Sequence, residues 1–546
     1  MSSALGGARP RVVILGGGFA GVYTALALEK ALGRRDDFEV VLVNRDNYFV
    51  FQPLLPEVIS GSIGLTDMVV PLRRLLRRAE VHVRDVEAVD LDARVVCTSP
   101  GFRPQPHRLG YDHLVLGLGT VTDFCGLPGL PEHAMPFKNL GDALRLRNHV
   151  IRAFEEAAIE RQDRELRRQL LTFVVAGGGF SGVEVAAELN DFVREVATSY
   201  RGIDPAEVRV VLVHSRERIL PEMAEPLARF AQQLLQRRGV ELRLGRRLIS
   251  ATGTEAILSG GERIATRTLV STVPASPHPL LAALPVPKDG GGRVVTTPEL
   301  RVEGTDNVWA IGDCALVATP DGSPAPATAQ HATRQAAVCA HNIVAAIRGG
   351  RRRVFDHRGL GTMGSLGYHS AVAEVLGLRF SGFLAWWLWR TVYLMKMPGW
   401  GRRLKVASSW TLDLVLPPDL VELRLRGSQG LTREHYEPGQ EVFRAGDLGD
   451  SLYILLSGEA EVTSGAPGNE QVLARLGPGE VFGEMALLEQ TTRNATVRCR
   501  TAMDVLRLPK HEFAALAAHL PDLRASFEKV MNGRRGPMGP DRTLEH

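Results

Sequence analysis

Arg11-Val-Val-Ile-Leu-Gly16-Gly-Gly18-Phe19-Ala20-Gly21 and Phe173-Val-Val-Ala-Gly177-Gly-Gly179-Phe-Ser-Gly182 are two writings of one motif. Each begins with an apolar, β-branched run, passes through G-x-G-x-x-G and enters a helical pattern. The first glycine makes a tight turn, the second lets a pyrophosphate approach the backbone, and the third lets helix pack on strand. N–H groups at the start of the helix then face phosphate. One such motif is weak evidence. Two, each in strand–turn–helix context, imply two dinucleotides in one chain and electron transfer between them.

The flanking sequence predicts a βαβ unit around each turn. Helix Val22–Leu32 leads to strand Glu39–Val43, which ends at Asn44; helix Val183–Val196 leads to strand Arg209–Val213, which ends at His214. Tyr111-Asp-His-Leu-Val-Leu-Gly117-Leu-Gly119-Thr120 and Asn307-Val-Trp-Ala-Ile-Gly312-Asp313 read as further buried strands closing on glycine turns. The expected class is α/β with two Rossmann-like dinucleotide-binding domains, followed by an all-β jelly roll. The expected boundaries are a first dinucleotide domain at 9–125 and 301–380, a second dinucleotide domain at 126–300 and an amphipathic segment at 381–420. The all-β domain at 428–531 and a disordered tail at 532–546 complete the division.

Composition narrows the field. At 546 residues the chain exceeds one core, and 45% hydrophobic with 23% charged residues is ordinary globular composition. A net charge of +4 is small for this length and argues against a nucleic-acid partner. The five cysteines, Cys97, Cys125, Cys314, Cys339 and Cys499, include no C-x-x-C, so a dithiol redox mechanism is disfavoured. No metal site is expected. The N-terminal Met-Ser-Ser-Ala-Leu-Gly-Gly-Ala lacks a basic region followed by an apolar run, so no signal peptide is expected.

Five of the six tryptophans, Trp386, Trp387, Trp389, Trp400 and Trp410, lie in 382–416 among Arg390, Lys396, Arg402, Arg403 and Lys405. The apolar run is too short to span a bilayer, which takes about 20 residues. Indole rings beside cations suit the headgroup interface, and the expectation is a helix lying on the membrane; the alternative is a packing surface for another domain or subunit.

A carboxylate usually ends the second strand of such units and accepts from the adenosine ribose. Asn44 and His214 stand there instead. Asn44 retains the capacity to bond ribose hydroxyls, whereas His214-Ser215-Arg216 leaves NADPH open beside NADH. Gly312-Asp313 is placed to bring a carboxylate to the ribityl–pyrophosphate region of an FAD held by the first turn. Together with Asn47-Tyr-Phe-Val-Phe-Gln-Pro-Leu-Leu-Pro-Glu57, Gly177–Glu188 and Ala329-Gln330-His-Ala332-Thr-Arg-Gln335, these motifs make residues 11–416 resemble the type II NADH:quinone oxidoreductases, single-subunit flavoenzymes that pump no protons. The last segment matches the family's quinone-site pattern A-Q-x-A-x-x-Q. The resemblance implies FAD contacts from Gly16, Gly18, Phe19, Ala20, Gly21, Asn44, Arg45, Val86, Gly119, Thr120, Gly312, Asp313, Ala329 and Gln330. It implies NAD(P)H contacts from Gly177, Gly179, Gly182, Glu184, His214 and Arg216. Glu184 and Gln330 become the candidate catalytic residues, with Phe51, Pro53, Leu54 and Leu55 as an apolar wall for the quinone. The family's peripheral placement implies the cytoplasmic face of the plasma membrane, and a homodimer stays open.

From Leu431 short strands alternate with glycine turns: Glu441–Phe443, Ser451–Leu456, Glu459–Val462, Val472–Leu476 and Val497–Arg500, with a helix expected over Lys510–Val530. Phe482-Gly483-Glu484-Met-Ala-Leu…Arg493-Asn494-Ala495-Thr496 resembles the phosphate-binding cassette of cyclic-nucleotide-binding domains. The resemblance assigns Gly483, Glu484, Arg493, Asn494 and Ala495 to cAMP or cGMP, with Glu484 on the ribose 2′-OH and Arg493 on the cyclic phosphate. Two other functions remain open. A sulfide:quinone oxidoreductase shares the fold and would use Cys125 and Cys314; a cyclic-nucleotide-responsive redox sensor would not turn over.

Overall fold

The computed structural model describes residues 9–101, 105–124, 126–272, 275–357, 359–413, 421–422, 432–436, 438–465, 471–484 and 492–510. The chain divides into two compact units, residues 1–94 with 110–424, and residues 95–109 with 425–546.

In the first unit each glycine motif sits in its own five-stranded parallel sheet. The first runs Val308–Ala310, His113–Leu116, Arg11–Leu15, Glu39–Asn44, Glu80–Val83; the second runs Ala134–Pro136, Thr268–Ser271, Thr172–Ala176, Arg209–Val213, Val240–Arg243. Val12–Leu15 and Phe173–Val175 are wholly buried, as befits parallel strands covered on both faces. From each glycine strand the chain steps outward through two strands, then returns to the other side. Both glycine turns therefore emerge where strand order reverses, the crevice in which open α/β sheets bind ligands.

The helices after the turns are Phe19–Leu32 and Phe180–Ser199, each starting three residues earlier than the sequence suggests. Their first turns lie inside the motif: the Val22 N–H donates to the Gly18 carbonyl and the Val183 N–H to that of Gly179. A glycine in a helical first turn reads as loop by propensity, but here a close approach to the strand overrides propensity.

An antiparallel sheet of Gly361–Ser365, Ala371–Val375 and Leu378–Gly382 leads into helices Phe383–Lys396 and Trp400–Leu412. These two helices divide the tryptophans. Trp386, Trp389 and Trp410 are buried, whereas Trp387 and Trp400 are 56% and 78% exposed. Three of the five rings placed at a membrane interface by their sequence are thus core. Trp410 Nε1 donates to Glu57 Oε2 at 2.5 Å, and the Arg390 guanidinium lies 4.1 Å from the ring of Trp386 and 4.7 Å from that of Trp410. Among the described residues no helix is long and apolar enough to cross a membrane.

The second unit is β-rich. One sheet runs Thr432–Tyr436, Met503–Pro509, Ser451–Ser457, Val481–Phe482; the other runs Glu441–Phe443, Thr496–Cys499, Ala460–Ser464, Gln471–Leu476. Leu455, Phe482, Met503 and Val505 of the first share a core with Ala460, Leu476 and Val497 of the second. Gly458 turns between strands at φ +85°, where a Cβ would sit 2.4 Å from the Ala502 carbonyl oxygen. The helix expected from Lys510 and the tail from Asn532 fall, beyond residue 510, outside the described residues.

Candidate functional site

The first turn is a cradle closed on three sides and open on one. Gly16 has φ +104°, and a Cβ there would lie 2.4 Å from the Gly117 carbonyl oxygen; one on Gly21 would lie 1.9 Å from the Gly16 carbonyl oxygen. At Gly18 a Cβ would meet nothing within 4 Å. That open position caps helix Phe19–Leu32 without a side-chain hydrogen bond, so the first-turn N–H groups face the crevice. The second turn repeats the plan. Gly177 has φ +123°, and a Cβ on Gly182 would lie 1.8 Å from the Gly177 carbonyl oxygen. Gly179 caps Phe180–Ser199, again with no side-chain partner. Both cradles fit a pyrophosphate.

Asn44 and His214 do the same job in the two halves. Asn44 Oδ1 accepts from the Gly17 N–H at 2.8 Å while its Nδ2 donates to the Asp46 carbonyl; His214 Nδ1 accepts from the Gly178 N–H at 3.1 Å. Each side chain pins the middle glycine of its turn. The accepting nitrogen places the His214 proton on Nε2, and burial holds its pKa below the usual histidine value. Arg216, two residues on, is exposed.

Around the first cradle, Lys138 Nζ donates to Thr120 Oγ1 at 2.7 Å. Burial raises the Asp313 pKa, and the Lys138 charge opposes that rise. The sequence gives no motif for Lys138; it lies just before the capping box that opens helix Leu140–Ile159. Gly312 has φ +75°, and its N–H donates to Gln335 Oε1 at 2.7 Å. A Cβ on Gly312 would meet the Ala20 methyl at 3.0 Å and the Ala332 methyl at 3.9 Å. The small residues and terminal glutamine of A-Q-x-A-x-x-Q therefore fit helix Ala329–Arg348 against the Gly312 turn. Gly119 has φ +65° with open space beside it. Of the remaining FAD candidates, Val86 and Ala329 are half-buried, and Arg45 pairs at 2.5 Å with Asp85.

Glu184 lies in the second turn of Phe180–Ser199, and its Oε1 accepts from the Ser365 N–H at 3.0 Å. Burial pushes its pKa up to about 8. Tyr393, which feels the Glu184 charge, packs against Phe51 with ring centroids 6.0 Å apart, and Phe51 contacts Phe19. The Gln330 amide, with its oxygen toward the Leu360 N–H at 2.5 Å and its nitrogen toward the Gly361 carbonyl at 3.2 Å, ties the helix start to 357–361. Its expected contact with a quinone carbonyl thus competes with backbone partners. Leu54 and Leu55 are buried core, and Phe51 is 1% exposed; only Pro53 of the expected apolar wall is even half-exposed.

Cys314 follows Asp313 directly. It is fully buried, its Sγ lies 3.4 Å from the Ile311 carbonyl and 3.5 Å from that of Leu116, and burial pushes its pKa up to about 11. A thiol held this way is a poor nucleophile. Cys125 lies outside the described residues.

In the second unit Arg493 is 3% exposed. Its Nη1 and Nη2 donate to the carbonyls of Gly483 and Ser451, each at 2.6 Å, and its guanidinium stacks 4.1 Å over Phe443. Asp450 lies 3.9 Å away. Glu484 is buried, Asn494 is exposed, Ala495 is half-buried and Gly483 has φ +82°.

Two switch-point cradles, one completed by an acidic turn from a distant strand, define a two-dinucleotide flavoprotein oxidoreductase. Residues 10–336 match the model of the pyridine nucleotide-disulphide oxidoreductases, 359–415 the NDH2 C-terminal domain and 433–519 the cyclic nucleotide-binding domain. The chain is 32% identical over 447 residues to the type II NADH:quinone oxidoreductase NdhA of Mycobacterium tuberculosis, covering 79% of this chain and 91% of that one. It is 32% identical over 409 residues to the demethylphylloquinone reductase NdbB of Synechocystis, covering 74% and 96%. The solved NDH2 of Plasmodium falciparum in complex with NADH superposes with a TM-score of 0.70 at 18% identity, covering 76% of this chain and 100% of that one. The chain belongs to the type II NADH:quinone oxidoreductases, with a cyclic nucleotide-binding domain at its C-terminus.

The cradle geometry separates two glycines. Gly18→Ala is expected to fold normally and weaken flavin binding by about 1–3 kcal/mol, because the methyl fills the pyrophosphate's space. Gly21→Ala has no room for its methyl and should fail to fold. Flavin content and thermal melting of the two variants check this; full flavin retention in Gly18→Ala would place the pyrophosphate elsewhere.

Proposed function

We propose that the chain catalyses FAD-dependent reduction of a membrane quinone by NADH, without proton translocation. The observation that carries this is the pair of pyrophosphate cradles at the two switch points of one unit. FAD, bound at the first, supplies a two-electron relay between nicotinamide and quinone. The chain's own residues position and exclude water. Gly18, Phe19 and Ala20 offer the helix-start N–H groups; Thr120, Lys138 and Asp313 line the polar side; Gly179 opens the second cradle to the nicotinamide nucleotide. With Oε1 on the Ser365 N–H, Glu184 holds its proton on Oε2 at neutral pH and loses it as pH rises past about 8. A sulfide donor is disfavoured because Cys314 is buried and protonated. A sensor without turnover would not need the second cradle. The exposed Arg216 beside a strand end without a carboxylate supports acceptance of NADPH alongside NADH.

Peripheral attachment to the cytoplasmic face of the plasma membrane is supported by the exposed residues of the last two helices. Phe383, Leu384, Trp387, Trp400 and Leu404 are each more than half exposed, with Lys396 and Lys405 exposed among them. Apolar rings beside cations favour an anionic headgroup layer. The C-terminal domain is read as a cAMP or cGMP sensor acting on this enzyme. Arg493 and the glycine turn at Gly483 support that reading, and the ligand must favour one of two states to change the rate.

Three measurements test these readings. Steady-state assays with a soluble quinone should show turnover with NADH and none with sulfide, and Cys314→Ser should leave the NADH rate near the parent's; sulfide-driven turnover lost in Cys314→Ser would reverse the assignment. Replacing Trp387 and Trp400 with serine should weaken partition to anionic vesicles by on the order of 1 kcal/mol per ring, with folding and soluble-quinone activity intact. Unchanged partition would remove the anchor, and a dimer dissociated by the same changes would make this face a subunit contact. Calorimetry on the full chain should show cyclic-nucleotide binding that Arg493→Ala weakens by about 1.5–3 kcal/mol. No heat with either nucleotide would leave the domain without that ligand.

A further inference from the structure

A side-chain amide can turn either of two faces to a ligand: its oxygen accepts two hydrogen bonds and its nitrogen donates two. Gln330, the second residue of helix Ala329–Arg348, has most of that capacity committed. Its oxygen accepts from the Leu360 N–H at 2.5 Å and from His357 Nε2 at 3.2 Å, and its nitrogen donates to the Gly361 carbonyl at 3.2 Å. Among the described residues the second amide N–H meets no partner.

The two backbone partners decide which way round the amide sits. With oxygen and nitrogen exchanged, nitrogen would face the Leu360 N–H and oxygen the Gly361 carbonyl, donor against donor and acceptor against acceptor. Both partners are fixed by the sheet. Gly361 pairs with Val375, the Leu360 carbonyl accepts from the Leu376 N–H at 3.0 Å, and a Cβ on Gly361 would stand 1.9 Å from the Glu374 carbonyl oxygen. With the amide fixed, His357 Nε2 faces an oxygen and must carry the proton. Burial and the Arg334 charge hold the His357 pKa below the usual histidine value, with the Asp356 charge opposing them, so the ring is neutral at pH 7. Its position is fixed as well. The ring centroid lies 5.4 Å from that of His331 and 6.4 Å from that of Phe355, both edge-on contacts with buried residues. His331 is tied in turn to the helix cap, its Nδ1 2.8 Å from Thr328 Oγ1.

We propose that His357 is a positioning residue for quinone reduction, holding the Gln330 amide so that its one uncommitted N–H serves the quinone carbonyl. The amide oxygen has no capacity left, so this side chain meets the substrate as a donor only. Two hydrogen bonds accepted at the oxygen also draw electron density from the nitrogen and strengthen the remaining N–H as a donor. Such a donor gains most when negative charge develops on the quinone oxygen. The arrangement therefore assists the transition state more than the binding of quinone.

The proposal rests on the quinone-reductase reading, and rapid-mixing kinetics on the full-length, FAD-loaded enzyme separates the two. His357→Phe keeps a ring between His331 and Phe355 and removes the N–H donor. Flavin reduction by NADH should then keep the parent rate. Reoxidation by saturating soluble quinone should slow about two- to tenfold, the worth of one hydrogen bond, while the quinone KM stays near the parent's. His357→Gln, which returns an N–H to the amide oxygen, should recover part of the rate. In a Gln330→Ala background His357→Phe should cost nothing further, because His357 acts through Gln330. A parent-like reoxidation rate in His357→Phe, equal loss in both half-reactions, or the same loss with and without Gln330 overturns the assignment. A parent enzyme that is reduced by NADH but fails to pass its electrons to quinone would instead refute the functional reading.

Discussion

The close contact between Cα of the third glycine and the carbonyl of the first, in each of the two turns, is the constraint from which the rest of the unit follows. A methyl at Gly21 or Gly182 would stand 1.9 or 1.8 Å from that oxygen, well inside any non-bonded distance. Only glycine lets the helix begin this near the strand end, and only then do its first N–H groups reach the crevice. Everything placed around the first crevice adapts to that spacing. Gly117 passes behind Gly16, Ala20 and Ala332 are small where Gly312 turns between them, and Gln335 reaches across to hold the Gly312 N–H.

The parts of the fold legible in the sequence were those fixed by local chemistry. Apolar β-branched runs gave Arg11–Leu15, Thr172–Ala176 and Arg209–Val213 their strands, and the strand–turn–helix context was enough to anticipate two nucleotide units. Relations across the chain were harder to read. Asn44 and His214 looked like altered ribose ligands, yet both hold the middle glycine of a turn, a contact that requires knowing which strand end lies over which loop. Lys138 carries no motif because its partner Thr120 lies in another segment. Gln330 reads as a free amide in its helix and meets its backbone partners only when 357–361 folds over it.

The tryptophan segment shows why composition alone misplaces side chains. Helical spacing puts Trp386, Trp389 and Trp410 on inward faces and Trp387 and Trp400 outward, so one cluster serves two environments. The inner rings do specific work: Trp410 satisfies a buried carboxylate at Glu57, and Trp386 and Trp410 flank the Arg390 cation. These helices are therefore integral to the unit that holds the cradles, and the Arg390 cation is held between aromatic faces.

The burial of Cys314 has a consequence for chemical durability. Quinones are electrophiles that alkylate thiolates, and an enzyme that turns them over works beside a reagent able to inactivate it. The thiol adjoining Asp313 has no exposed surface, lies against two backbone carbonyls and stays protonated at physiological pH. Nucleophilicity resides in the thiolate, so this cysteine is shielded from such an electrophile by access and by charge state alike. The same burial thus keeps this one sulfur out of reach of a quinone.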